Sequence, residues 1–357
     1  MKKKRILILL AGGTIAQLKS NGRDTNVTSE KGKKALITMI NELINTYNKN
    51  TIFNTENVFP GDSTEMDKDT WETMIKIIEQ NYSFYDGFLI IMGTNTLAYA
   101  SSALSFALRY IKKTIIFTGA QIPANEPATD ARNNLINSIR VLLLGSNEKD
   151  KLKLKPGVYV VFGSKIILGC RAKKSTESAL DAFISYNTQN VGRIGVNIKL
   201  HSEYVLDQNN EDVETLYKIQ KYKSYNIFND SIICLTLVPG LKTESILQLI
   251  NNGIKAVILR AFGAGDIPEN LFSALAKAKE KKIPIVVTTQ CPDGATMMGL
   301  NEPGHNVKKY KIIQAYDMSM EAITTKLMWL LAQGFSYENI RNEMQKNYIG
   351  EINLRLL

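Results

Sequence analysis

Along the first two thirds of the chain, short runs of apolar residues alternate with longer stretches in which apolar positions recur every three to four residues. The runs at residues 5–10, 87–92, 114–118 and 157–162 are short, apolar and bounded by polar turns, so they read as strands buried on both faces. Between them, residues 31–48, 68–81, 98–111 and 131–144 carry the period of amphipathic helices. That alternation predicts an α/β fold, with a larger N-terminal domain whose mainly parallel sheet is flanked by helices. Residues 201–229, which include DQNNEDVETLYKIQKYKSYN, are polar and weakly patterned. They read as a linker between an N-terminal catalytic domain, 1–200, and a C-terminal domain, 230–357. In the latter, strands at 232–237, 256–259 and 283–288 are joined by helices near 244–251, 268–281, 319–332 and 337–346, so a smaller α/β domain is expected. There is no internal repeat or low-complexity tract.

In open α/β sheets, ligands bind beyond the carboxyl ends of the strands. Three such turns are polar and contain glycine: Ala11-Gly12-Gly13-Thr14, Gly93-Thr94-Asn95-Thr96 and Thr118-Gly119-Ala120-Gln121.

Composition narrows the setting. No apolar run approaches the roughly 18 to 20 residues needed to span a bilayer, and the start KKKRILILLAGGTIAQ lacks a small-residue cleavage pattern. A cytoplasmic location without a membrane partner is expected. The three cysteines, Cys170, Cys234 and Cys291, are too few and too widely spaced for a disulfide framework or a zinc cluster. The net charge of +10 invites a nucleic-acid reading. The lysines are spread along the chain, however, and no aromatic-and-basic module accompanies them, so a solvated surface is expected and no nucleic-acid partner.

The candidate chemistry follows by exclusion. The two histidines, His201 and His305, have no nucleophile-elbow partner of the G-x-S-x-G kind, which argues against Ser-His-Asp or Cys-His catalysis. No P-loop occurs, and the Gly263–Gly265 pair lacks the third glycine of a dinucleotide fingerprint. No metal or cofactor is therefore expected. A hydroxyl-based site remains: Thr14 or Thr94 can serve as a nucleophile if a base takes its proton, and lysine is the candidate where histidine is absent. On position alone, helix N-capping explains each threonine as well.

Seven segments taken together carry a specific resemblance. AGGTIAQ (11–17), GDSTEMD (61–67), IIMGTNTLAYASSALSFAL (90–108), FTGAQIPANEPATDARNNLINSI (117–139), GCRAKKSTESALDAF (169–183), LRAFGAGDIPEN (259–270) and TTQCPDGATMMG (289–299) resemble the bacterial-type L-asparaginases, in particular their cytoplasmic type I branch. The resemblance spans essentially the whole chain. It implies an amidohydrolase that converts a side-chain carboxamide to a carboxylate and ammonia through a threonine acyl-enzyme. The pocket would be completed by a neighbouring subunit of a homodimer or homotetramer.

Carried over by position, Thr14 is the first threonine and Thr94 and Lys174 are the second threonine with its lysine. Asp62 and Ser63 would grip the α-groups of the substrate, Ala120 would offer a carbonyl to the leaving amide, and Gly13 and Gly93 would line the pocket. Backbone N–H groups of the first turn would stabilise the oxyanion, each by roughly 3 kcal/mol. Arg260, Asp266 and Cys291 fall in segments that would line an effector pocket or reach a neighbouring active site. A bland account of these three is also open, with Arg260 paired to Asp266 at a strand end and Cys291 buried. The latter is favoured by Lys173, which stands where the family's pocket has a threonine.

Two departures shape the functional expectation. The family turn reads Gly-Thr-Asp-Thr, whereas this chain has Asn95. The loop IAQLKSNGRDTNVTSEKG also lacks the family's tyrosine, with Arg23 and Asp24 in that neighbourhood. Asparagine keeps the shape of aspartate and loses its charge. That favours a neutral lysine base but weakens the grip on a free α-ammonium by about ten- to a hundredfold.

The expected activity is thus hydrolysis of asparagine or a related amide, including N-acylated ones. The alternative is a catalytically weak homologue acting as an amino-acid sensor. A tRNA-directed amidotransferase component ranks last, because relatives with that role carry an extra region before the first strand. Glu177 is the acid that could replace the lost counter-charge. Trp71 and Trp329 read as core, and Asp130 and Arg132 as structural residues at a helix start.

Overall fold

The computed structural model describes residues 3–13, 19–20, 23–24, 30–47, 51–144, 152–206, 225, 227–298 and 306–353. Thr14 and His305 lie outside them, as does most of the stretch expected to be a linker. The chain divides into two compact units, residues 1–185 with 189–226, and residues 186–188 with 227–357.

In the first unit, strand β1 (Lys4–Ala11) is followed by a short antiparallel pair, β2 (Lys19–Ser20) and β3 (Arg23–Asp24). Helix α1 (Glu30–Tyr47), strand β4 (Thr51–Asn57), helix α2 (Lys68–Asn81) and strand β5 (Gly87–Met92) come next. Helix α3 (Leu97–Ala107), strand β6 (Thr114–Thr118), helix α4 (Ala131–Leu142) and strand β7 (Gly157–Phe162) complete the α/β alternation. Shorter strands then follow: β8 (Lys165–Leu168), β9 (Ala172–Lys174), β10 (Phe183–Ser185), β11 (Gly192–Ile194) and β12 (Ile198–Leu200).

Eight of these strands form one sheet in the order β12-β11-β8-β7-β6-β5-β1-β4. The pairs from β4 to β7 are parallel and those from β7 to β12 antiparallel. The expected strands at 87–92, 114–118 and 157–162 appear with the same limits. Strand β4 escapes the apolar-run criterion because TIFNTEN, at the sheet edge, is mostly exposed or half-buried. Strands β8 to β12 escape it because three or four residues are too few to establish a period.

Packing follows the two-sided burial of the parallel strands. Ile6, Ile8, Leu89 and Ile91 share a core with Leu36 and Ile40 of α1 and Leu135 and Ile139 of α4. The alternate residues Leu7, Leu9, Phe88 and Ile90 point the other way and are equally buried, as are Trp71, Met74 and Ile78 of α2 and Leu104 of α3. Helix α2 is capped by Asp67, whose carboxylate accepts from Asp69 N and Thr70 N. Because β1 lies between β4 and β5, the chain leaves β1 toward one neighbour and later returns on its other side. The turns after β1 and β5 therefore open at a topological switch point, where α/β sheets bind ligands.

The second unit has a parallel sheet of β13 (Ile232–Thr236), β14 (Ala256–Ala261), β15 (Ile285–Thr289) and β16 (Ile313–Gln314), in that order. Helices described in it include α5 (Thr243–Asn251), α6 (Phe272–Glu280), α7 (Met320–Ala332) and α8 (Tyr337–Met344). The helix expected at 268–281 begins instead as a 3-10 turn, Glu269–Leu271, capped by Pro268.

Candidate active site

The turn after β5 is built by backbone-on-backbone contact. Gly13, at φ +87°, packs so closely on Gly93 that a Cβ on it would overlap the Gly93 backbone. A Cβ on Gly93 would in turn meet Ser63 Oγ at 2.5 Å. Glycine at both strand ends is thus a packing requirement that brings the first two polar turns together.

Thr94 follows and is 5% exposed. The N-cap of α3 is Thr96, whose hydroxyl donates to Ser63 O at 2.8 Å. Thr94 instead donates its hydroxyl to Gln121 Oε1 at 3.0 Å and accepts from Lys174 Nζ at 2.8 Å. The capping explanation therefore fails for Thr94.

Lys174 reaches this hydroxyl because of the small residues of α3. Ser101 Oγ donates to Gly169 O at 3.0 Å, and a Cβ on Gly169 would meet Ser105 Oγ at 2.6 Å. This close seat holds the 3-10 turn Gly169–Arg171 against α3, and β9 leaves it with Lys174 at its end. Lys174 Nζ also donates to Asn95 Oδ1 at 2.8 Å. Burial lowers its pKa from the ordinary 10.5, while Glu177 and then Asp62 pull it back up. The pair has the two parts of base-assisted nucleophilic catalysis: a hydroxyl, and an amine biased toward its neutral form.

Gln121 was not foreseen as a site residue, although it closes the third polar turn. Its Nε2 donates to the carbonyls of Glu177 at 2.8 Å and Ala179 at 3.2 Å, so it ties the Thr94 hydroxyl to the loop that follows Lys174. Its own backbone is held by Asp130, whose carboxylate accepts from Gln121 N and Ile122 N at 3.0 Å. Asn134 Nδ2 donates to Asp130 Oδ2 at 3.0 Å and to Gly119 O at 2.9 Å. Asp130 thus organises this turn, and it caps α4 without a side-chain hydrogen bond.

Replacing Gln121 by Met is expected to lower kcat on the order of ten- to a hundredfold through lost orientation. Replacing it by Glu is expected, in addition, to move the acid limb of the pH profile upward, because the new anion favours charged Lys174. Steady-state ammonia release against pH reads both effects.

The remaining expected residues fall as follows. Ser63 is buried, and Asp62 caps the turn Ser63–Glu65, its Oδ1 accepting from Thr64 N and Thr64 Oγ1 at 2.8 Å. Ala120 is buried in the core of the first unit. Arg260, Asp266 and Cys291 belong to the second unit. Arg260 lies on β14, with its Nε enclosed and without an acceptor among the described residues. It acts electrostatically on Tyr186, whose pKa is raised chiefly by burial and drawn back by Asn187 and by Arg260. Asp266 closes a turn through its backbone, Asp266 N donating to Phe262 O at 2.8 Å. Cys291 is exposed, which corrects the expectation of a buried thiol. It lies two residues beyond the end of β15, in a loop.

Two family models account for most of the chain. The asparaginase N-terminal model matches residues 5–206, and the glutaminase/asparaginase C-terminal domain model matches residues 231–344. This chain belongs to the asparaginase family. Among curated relatives it is 30% identical to an L-asparaginase of Thermococcus kodakarensis, over 98% of this chain and 99% of that one. It is 31% identical to L-asparaginase 1 of Escherichia coli K12, over 82% of each chain. The crystal structure of L-asparaginase I from Vibrio cholerae superposes with a TM-score of 0.84 at 30% identity, covering 99% of this chain and 100% of that one. The two-domain α/β architecture expected from the apolar pattern is thus that of asparaginases.

Proposed function

We propose that this protein is an amidohydrolase that cleaves the side-chain carboxamide of asparagine or a related amide. The observation that carries this reading is the contact of Lys174 Nζ with Thr94 Oγ1 at 2.8 Å, inside a glycine-built crevice at the switch point. Neutral Lys174 takes the Thr94 proton as Oγ1 attacks the carbonyl carbon. The C–N bond then breaks, and Lys174 returns the proton to the departing nitrogen, giving ammonia. Water, deprotonated by the same amine, opens the resulting ester to the carboxylate and restores the hydroxyl. The base and hydroxyl remain in contact despite Asn95, which favours this reading over a binding-only sensor.

Thr14 takes the role that the resemblance implies for the first threonine, and backbone N–H groups of the first turn would stabilise the oxyanion. The assembly is a homodimer or homotetramer that completes the pocket, and the location is cytoplasmic. Among the described residues no helix is long and apolar enough to cross a membrane.

Acid quenching during turnover, followed by peptide mapping, tests the chemistry. An acyl group on the Thr94 peptide, absent in Thr94→Val, is the expected result. An acyl group on the Thr14 peptide would reassign the Thr94–Lys174 pair to the water-activating step. The absence of ammonia release from asparagine, glutamine and their N-acyl derivatives would refute the proposal.

A further inference from the structure

Asn95 is exposed, next in sequence to the buried Thr94, and both side chains converge on one amine. Each of the two oxygens lies 2.8 Å from Lys174 Nζ, so they are no further apart than twice that distance. A short-chain carboxamide attacked at Thr94 therefore brings its α-substituent within reach of Asn95.

The carboxamide of Asn95 has one acceptor and one donor end. Its Oδ1 accepts from Lys174 with one of its two lone pairs, which fixes the orientation of the amide, and this holds in both states of the amine. As an ammonium, Nζ only donates. As a neutral amine, it directs its lone pair to the Thr94 proton and still has N–H groups for Oδ1. A flipped amide would set two donors against each other. The group left over on this exposed side chain is Nδ2, and Asn95 makes no further hydrogen bond among the described residues. Position 95 thus presents a donor.

An incoming ammonium would face that donor and, beside it, the Lys174 amine, with no carboxylate at 95 to separate them. The carboxylates that act on Lys174 are Glu177 and Asp62, and one oxygen of Asp62 already caps Thr64.

We infer that the site selects carboxamides whose α-substituent carries a hydrogen-bond acceptor, an N-acyl-amino or a hydroxyl group, over those with a free α-ammonium. This rests on reading Thr94 and Lys174 as the amide-cleaving pair, and it specifies the substrate class of that pair.

Binding is measured separately from turnover. Full-length Thr94→Val, with Asn95 retained or changed to Asp, is titrated calorimetrically with L-asparagine, N-acetyl-L-asparagine and the 4-amide of malic acid. With Asn95, at least one oxygen-bearing probe is expected to bind about tenfold or more tightly than asparagine, and Asn95→Asp is expected to reverse the order. Whichever of the two probes binds distinguishes the acyl from the hydroxyl source.

Asparagine binding as tightly as both probes, no binding by any probe, or an order unchanged by Asn95→Asp would each overturn the inference. The ratio of KM values of the otherwise unaltered enzyme supplies the same selectivity if Thr94→Val does not fold. Probe selectivity without ammonia release would refute the hydrolase reading and leave the selectivity standing.

Discussion

Lys174→Met is expected to reduce kcat for ammonia release by about a thousandfold, within the range for loss of a positioned general base. The side chain length is nearly kept and the base is lost, so among the described residues the Thr94 hydroxyl retains its bond to Gln121. The pH profile supplies a second readout. Burial, the largest influence, lowers the Lys174 pKa from 10.5. The base form is the neutral amine, so activity rises as pH rises through that pKa, and the midpoint of the limb lies below 10.5. At lower pH the ammonium donates to Thr94 and cannot accept its proton. Asn95→Asp adds an anion beside Nζ and is expected to move the limb to higher pH. Glu177→Gln removes the carboxylate with the stronger upward pull on the pKa, and is expected to move it lower. A Lys174→Met protein that kept a tenth of its activity, or a limb indifferent to both substitutions, would remove Lys174 from the role of base.

The largest effect on stability is expected in the second unit. Lys326 and Glu351 are both fully buried, with Nζ and Oε1 2.7 Å apart. Lys326 also donates to Met344 O at 2.9 Å and Lys346 O at 2.5 Å, and lies over the Tyr348 ring. Glu351 accepts from Tyr348 N at 3.0 Å and Ile349 N at 2.8 Å. The pair therefore pins residues 344–351 to α7.

Lys326→Met leaves a buried carboxylate without its cation, at a cost of about 3 to 5 kcal/mol. That corresponds to a fall in Tm on the order of 10 °C for a unit of this size. The double change Lys326→Met, Glu351→Leu is expected to recover part of the loss, since the buried charge is gone while the backbone groups remain unpartnered. Thermal melting of the two proteins decides this. A single variant within about 1 kcal/mol of the parent, the scale of an exposed pair, would show that the pair is not enclosed in solution.

Legibility in the sequence differed by scale. The strands at residues 87–92, 114–118 and 157–162 and the helix at 68–81 were readable to their limits, because runs buried on both faces and a capped amphipathic period are local signals. Strands β8 to β12 were not, since their pairing is set by neighbours. At the site, the polar turn around Thr94 was conspicuous, but position alone could not separate a cap from a nucleophile. The separation came from Lys174, 80 residues away, and from Thr96 occupying the cap. Gln121 went unassigned for the same reason: its contacts lie 27 and 56 residues off. The exposure of Cys291 depends on a loop that no periodicity describes.

By itself the sequence determined the α/β alternation, the polar turns at strand ends, the scarcity of histidine, with two in the chain, and the neutral residue at position 95. Each is written within a few residues, through burial period or residue type. The tertiary structure alone decided that β1 and β5 adjoin at the switch point, that glycines let their turns touch, and that Lys174 meets both Thr94 and Asn95. It also decided which end of the Asn95 carboxamide meets Lys174. Those facts depend on sheet order and on close packing of small residues on α3, which bring distant parts of the chain together and which no local pattern encodes.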